Sequence, residues 1–373
     1  MNADQSRPYH YHQFSHSLLS LAILTLAIYL GQDILVPLAM AGLLAVLLRT
    51  VENWLSQRGM HKVFAISLAL LLAIIMIAGV AIILSIQLSD FTDDLPKIRQ
   101  HLNDIYDEVR RWVRREYNVS YRQQDKYLKQ AQAQTLGTLQ TVDTLGIITG
   151  PLGTLILLPI YVFLLLYYRS MLLHFVVVLF PEKYAERVRE VLSEIKGVIQ
   201  SYVVGLLIET ACVAVLNWVG LLLLGVQYAL LLGIMGAILN LIPYIGGLVA
   251  TVLTVVITMS YQPDLSLVIG VVSVFLFVQF VDNNVLVPLI VASKVRINAL
   301  VSIVGVLVGG ALAGVSGMFL SIPAIAIMKV IFDRVDSLRP WGVLLGDQTP
   351  EQAGNNLFRL PRRRRKVLIK EEQ

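Results

Sequence analysis

The sequence predicts an all-α, polytopic transmembrane protein of about eight membrane segments. Three observations carry that prediction. Hydrophobic residues make up 56% of the chain and charged residues only 15%, where soluble domains carry roughly a quarter charged residues. Mean hydropathy is +0.71. Several apolar runs are long enough to cross a bilayer, among them "VFAISLALLLAIIMIAGVAIIL" (63–84), which holds no charge.

The N-terminal tail, 1–16, is read as cytoplasmic. It lacks the basic n-region and cleavage site of a secretory signal, so the first apolar run reads as a retained helix. His10, His12 and His16 have metal-ligating chemistry, but a solvated tail explains them more simply. The N-terminal transmembrane region, 17–87, begins with two apolar halves separated by "GQDILVP" (31–37), whose turn residues predict a helical hairpin. A third helix follows at about 63–87.

An extramembrane segment, 88–145, comes next. Within it Ile98, Leu102, Ile105, Val109 and Trp112 recur at helical spacing, which predicts an amphipathic helix over 95–117. A second such face, Tyr184, Val188, Val191, Ile195, Val198 and Tyr202, leads into a helix at about 198–224.

The transmembrane core, 146–332, opens with a helix at 146–168 and ends in two over-long apolar stretches. Residues 229–260 are interrupted at Pro243, Gly246 and Gly247. Residues 299–331 are interrupted at Gly309, Gly310, Gly314, Gly317 and Pro323. A straight helix over the second would reach roughly 50 Å against a bilayer core near 30 Å, so each stretch predicts a helix pair that either spans twice or re-enters. Between them, 265–281 reads as a plain spanning helix.

Charge orients this arrangement. Lys and Arg mark 49–62, 169–197, 288–298 and the basic C-terminal region 333–373, whereas 31–33, 225–228 and 261–264 carry none. The basic set is therefore expected to face the cytoplasm of a bacterial inner membrane, with both termini inside. The two broken pairs would then enter from opposite sides, a common transporter device. The run Arg362–Lys366 suits anionic lipid, and no aromatic platform accompanies it to suggest nucleic acid.

No enzyme constellation is present: no HExxH, no phosphate-binding Gly loop, no nucleophile elbow. No cofactor or metal is expected. Cys212 is the single cysteine, which excludes an intrachain disulfide framework. What remains is intramembrane polarity, which is costly and by default functional. Glu209 lies midway along an apolar helix, and Asp282, Asn283 and Asn284 follow another, with Asn240 and Asn217 as neutral companions. Glu209 is read either as an exchange site or as a neutral acid bonded to a neighbouring helix. Asp282 is read either as a solute contact or as a helix-end carboxylate wetted at the surface, close to Pro288. Gly305-x-x-x-Gly309 and Gly310-x-x-x-Gly314 favour close helix packing.

"LLLGIMGAILNLIPYIGGLVA" and "VDNNVLVPLIVASKVRINALVSIVGVLVGGALAGVSGMFLSIPAIAIMKVI" resemble the motif segments of the AI-2E family of autoinducer-2 exporter-like membrane proteins. Pro243, Tyr244 and Gly246 match its first motif. Asp282, Asn284 and Pro288 match its second, and Gly309, Gly310, Gly314, Gly317 and Pro323 its third. The chain departs from the family where Arg-Gly-Gln is often found (Val204, Gly205, Leu206) and where His-Pro is often found (Asn298, Ala299). The resemblance implies export of a small polar solute, autoinducer-2 first, or sodium(lithium)/proton antiport. It also implies homo-oligomers, with a pentamer as candidate. A non-transporting scaffold that binds partners through its amphipathic helices is the reading from a different class.

Overall fold

The computed structural model describes residues 25–117, 144–242, 245–291 and 297–347, with positions 19, 23, 120, 122 and 123. Pro243 and Tyr244, the histidines of the N-terminal tail and the run Arg362–Lys366 lie outside the described residues. Among those described there is no strand, only one isolated antiparallel bridge between Ile297 and Gly346. Among the described residues five helices are long and apolar enough to cross a membrane, or six if one bent pair counts as a span, fewer than the eight expected.

The first helix, α1 (Gln32–Gln57), differs from the expected hairpin. The Gly31 N–H donates to Ala27 O (2.9 Å) and Leu35 N–H donates to Gly31 O (2.8 Å). Helical bonding therefore passes through Gly31, and Pro37 is accommodated inside α1. The next helix, α2 (Lys62–Tyr117), is a larger correction. The expected membrane helix and the expected amphipathic helix are one 56-residue element, with Pro96 inside it. Only Lys62–Thr92 is apolar enough to span. The remainder, 93–117, continues roughly 37 Å beyond it at 1.5 Å per residue.

Helix α3 (Thr144–Tyr167) ends in a 64° bend at Tyr168, after which α4 (Arg169–Val178) runs in a new direction. Helix α5 (Ala185–Leu223) joins the charged amphipathic segment and the membrane helix without a break. Ala41, Ala45 and Leu48 of α1 pack with Ile66 of α2 and Val162 and Leu166 of α3. Large side chains elsewhere on α2, such as Ile75, Met76, Ile77 and Ile82, stay exposed, as suits a lipid solvent.

The first broken stretch is α6 (Ala229–Asn240) and α7 (Gly246–Tyr261). Gly236 approaches Ala250, Asn240 approaches Gly247, and a Cβ on Gly246 would overlap the Leu239 carbonyl. These contacts march in opposite directions along the two helices, so α6 and α7 form an antiparallel hairpin. The arms reach roughly 18 and 24 Å, both short of a 30 Å core. Helix α8 (Leu265–Val281) starts at Asp264, whose carboxylate accepts from the Ser266 N–H at 2.9 Å and caps it. It does not end at Asp282. The chain continues as a π-helix from Asp282 to Val291 that contains Pro288, and the two together make a 26-residue span.

The second broken stretch is α9 (Ala299–Arg334), capped by Asn298, whose side chain accepts from Leu300 N–H at 2.9 Å. Although α9 is long enough to be one span, Ala313 and Gly314 leave helical geometry, with Gly314 at φ 58°. Only glycine adopts that value cheaply. Gly305 meets Ile325, Gly309 meets Gly317 and Ser321, and Gly310 meets Met318, the signature of two antiparallel arms. Both ends accordingly lie together: Asn298 N–H bonds to Leu345 O of α10 (Arg339–Leu345) at 3.0 Å. The first arm, 299–312, reaches only roughly 21 Å.

The two hairpins enter from opposite ends. Tyr228 and Tyr261, the feet of the first, gather around Phe91 and Asp94 at the far end of the α2 span. At the foot of the second, Arg334 pairs with Glu190 and Glu194 of the charged part of α5. The inverted arrangement expected from charge is therefore present. The second hairpin, however, packs Phe319, Leu320 and Ile322 on Leu43, Ile199, Tyr202 and Val203, away from the tip of the first.

Candidate functional site

Buried positions on α5 recur every fourth residue: Gly205, Glu209, Val213, Asn217 and Leu221. This spacing keeps them on one stripe of the helix, and that stripe meets α6, α8 and the π-helix, where Val213, Ala237 and Val278 form a common core. Glu209 and Asn217 are thereby carried into the protein interior, exposed by 9% and 2%.

Opposite them stands Asp282, 3% exposed. The Glu209 and Asp282 carboxyl groups lie within interaction range of one another. Asn240, at the tip of the first hairpin, donates from Nδ2 to Asp282 Oδ2 at 3.1 Å. Asn240 is the last residue of α6, so the amide stands at the turn of the hairpin. Asp282 Oδ1 and Asn217 Oδ1 are shielded and have no hydrogen-bond partner. Beside them is a space of about 10 Å³, lined by Asn217, Asn240, Gly247, Gln279 and Asp282, roughly the room for one water.

The small residues make the closeness possible. Gly236 lets Asn217 Nδ2 and Phe275 approach, each 3.3 Å from where a Cβ would sit, and Gly247 admits Gln279 Oε1 at 2.5 Å. Chemically, the arrangement is two carboxyl groups, three amides and a one-water space inside an apolar bundle. Two such carboxylates repel when both are charged, and a proton or a small cation between them removes the repulsion.

The structure thus brings together Glu209, Asp282 and Asn240 and excludes two residues expected with them. Asn283 and Asn284 are exposed on the outer face of the π-helix. Asn283 Oδ1 accepts from Gln279 at 3.3 Å, and Asn284 donates to the Phe280 carbonyl at 2.8 Å. The reading of Asp282 as a wetted helix-end carboxylate is also corrected, because the helix runs on past it. Gln279 was missed. Its position three residues before Asp282, on the same helix face, was the available signal. Gly246 and Gly247 belong to the site-bearing tip. Gly309, Gly310, Gly314, Gly317 and Pro323 belong to the second hairpin and do not line the space at Asp282. Pro288 sits exposed within the π-helix.

The AI-2E family transporter profile matches residues 18–337, nearly the whole chain. The chain belongs to the AI-2E transporter family. Its relatives include the Bacillus subtilis (strain 168) protein named "Putative transport protein YrrI", 26% identical over 313 residues, which cover 80% of this chain and 86% of the relative. The similarly named YhhT of Escherichia coli (strain K12) is 24% identical over 90% of this chain and 94% of its own length. A third, "AI-2 transport protein TqsA" of the same strain, is 25% identical over 89% of this chain and 94% of its own. This AI-2E transporter is accordingly a multi-pass membrane protein.

Proposed function

We propose that this chain is a gradient-driven exporter of a small polar solute, with an autoinducer-2-like molecule as first candidate, and that the Glu209–Asp282 pair couples export to a proton or cation. The observation that carries the reading is the pair itself: two buried carboxyl groups within interaction range, with Asn240 bonded to one of them at 3.1 Å. Such a group inside a membrane has a cost that a purely structural role leaves unrepaid. The relative named as an AI-2 transport protein supports the choice of solute. In this reading both termini face the cytoplasm of a bacterial inner membrane, copies assemble into a homo-oligomer, and the first hairpin moves against α5 and α8 to alternate access.

Sodium(lithium)/proton antiport is the second reading, and one observation favours it. The space at Asp282 is about 10 Å³, of a size for an ion or a water rather than an organic solute. Sealed vesicles containing the protein separate the two. Autoinducer-2 flux that rises with an imposed proton gradient and collapses in Glu209→Gln supports coupled export. A change of internal pH on adding sodium, with no autoinducer-2 flux, replaces it with antiport. Neither response in tight, correctly loaded vesicles overturns both.

A further inference from the structure

At the basic end of the molecule, α1 and α5 flank an open polar cleft unrelated to the Glu209–Asp282 pair. It measures about 250 Å³ and is lined by Arg49, Asn53, Trp54, Gln57, Lys196 and Gln200, with Thr50 between them. Arg169 stands close behind, near enough to Arg49 and Lys196 for the three cations to feel one another. The acid among them is Glu52, 4% exposed and 3.5 Å from Arg169 Nη1. Among the described residues, three cations against one carboxylate leave an excess of positive charge. Arg49 Nε is shielded and has no hydrogen-bond partner, whereas the shielded Arg169 Nη1 and Glu52 Oε2 are ion-paired with each other without a hydrogen bond. Gln200 is held at the rim by its bond to Thr50 Oγ1 at 3.0 Å.

We infer that this space is a binding site for a phosphate group. A tetrahedral dianion or phosphodiester matches the fixed fork of a guanidinium and the point charge of a lysine. An anionic phospholipid headgroup is its foremost source, for a geometric reason. Helix α4 leaves α3 at 64° with Met171, Phe175 and Val178 all more than half exposed. An apolar helix turned so far from a spanning one lies near the plane of the interface, and Arg169 is its first residue. Trp54, half exposed beneath the Arg58 guanidinium at 3.7 Å, is the kind of residue that settles at headgroup depth.

The test uses purified full-length protein and three additives: short-chain phosphatidylglycerol, short-chain phosphatidylcholine and inorganic phosphate. Binding is read by native mass spectrometry and by the melting midpoint. The comparison is between wild type, the double variant Arg49→Gln/Lys196→Gln, and Lys183→Gln, which removes a charge from the same end outside the space. Phosphatidylglycerol is expected to bind saturably and to weaken about tenfold or more in the double variant, while Lys183→Gln stays within about twofold. Displacement of the lipid by inorganic phosphate would assign the site to a soluble anion. A melting midpoint of the additive-free double variant close to wild type excludes misfolding as the cause, and the single variant Lys196→Gln serves if it is not. Equal binding to wild type and variant, equal loss in Lys183→Gln, or no preference for phosphatidylglycerol over phosphatidylcholine would overturn the inference.

Discussion

Between Ala229 and Tyr261 the chain folds back across a tip that carries Asn240 and Gly247, and between Ala299 and Arg334 it folds back across Ala313 and Gly314. Both hairpins are held by glycines at van der Waals distance from the opposite arm, and both are too short in at least one arm to cross a bilayer core. Their contacts differ in kind. The first delivers an amide at its tip to a buried carboxylate, and the second lays Phe319, Leu320 and Ile322 of its second arm into an apolar seam with α1 and α5. The same backbone device therefore serves two purposes, to expose polar groups at membrane depth in one case and to fill a groove in the other.

The sharpest way to break the comparison is to attack what the hairpins share. A Cβ at Gly317 would overlap the Gly309 carbonyl, and one at Gly246 the Leu239 carbonyl, backbone in both cases. Gly317→Ala and Gly246→Ala are each expected to remove most of the monodisperse protein in size-exclusion chromatography. Gly42→Ala, with open space around it, should remain folded and gain up to about 1 kcal/mol of helix propensity.

Next come substitutions that separate the hairpins by chemistry. Glu209→Gln and Asp282→Asn keep shape and remove charge, so gradient-driven flux in vesicles should fall at least about tenfold while the melting midpoint holds or rises. In the second hairpin, Ser321 donates to the Gly317 carbonyl at 2.7 Å. Ser321→Ala should cost about 1 kcal/mol of stability and leave flux within about twofold. A comparable flux loss in Ser321→Ala would erase the distinction between the hairpins.

Gentler changes probe the first hairpin alone. Gly247→Ala meets the end of the flexible Gln279 side chain rather than backbone, and a fewfold loss of flux with nearly normal stability is expected. The smallest effect on flux belongs to Tyr228→Phe at the foot, which removes a 2.7 Å bond to Asp94 and should lower stability by about 1 kcal/mol in a thermal melt.

Much of this was legible from residue types. Helix breakers inside over-long apolar runs predict hairpins, because a bilayer limits helix length, and loop charge predicts their opposed entry. Glu209, Asp282 and Asn240 announce themselves as polar groups where polarity is expensive. Other features were not legible for definite reasons. Asn283 and Asn284 turn away from the site as the residues one and two places after Asp282 do on any helix, which shows only once the chain is known to stay helical past Asp282. Gln279 is uncharged and sits in a run that reads as plain helix, so its spacing from Asp282 was its one signal. Continuity of α2 through Pro96 was hidden because hydropathy changes sharply at Ser89–Asp94 while backbone hydrogen bonding does not.

That continuity has a mechanical consequence. The two feet of the site-bearing hairpin, Tyr228 and Tyr261, rest on α2 at Phe91 and Asp94, a short way from the fulcrum at Pro96, where the helical ladder lacks one bond. A rod extending roughly 32 Å past that point amplifies angle into distance, so a tilt of about 10° sweeps its end by about 5.5 Å. Run in reverse, a push on the distant end arrives at Asp94 with its displacement reduced and its force multiplied. The outer arm of α2 is in this sense a crank, and the hairpin that holds Asn240 against Asp282 is mounted on its short side.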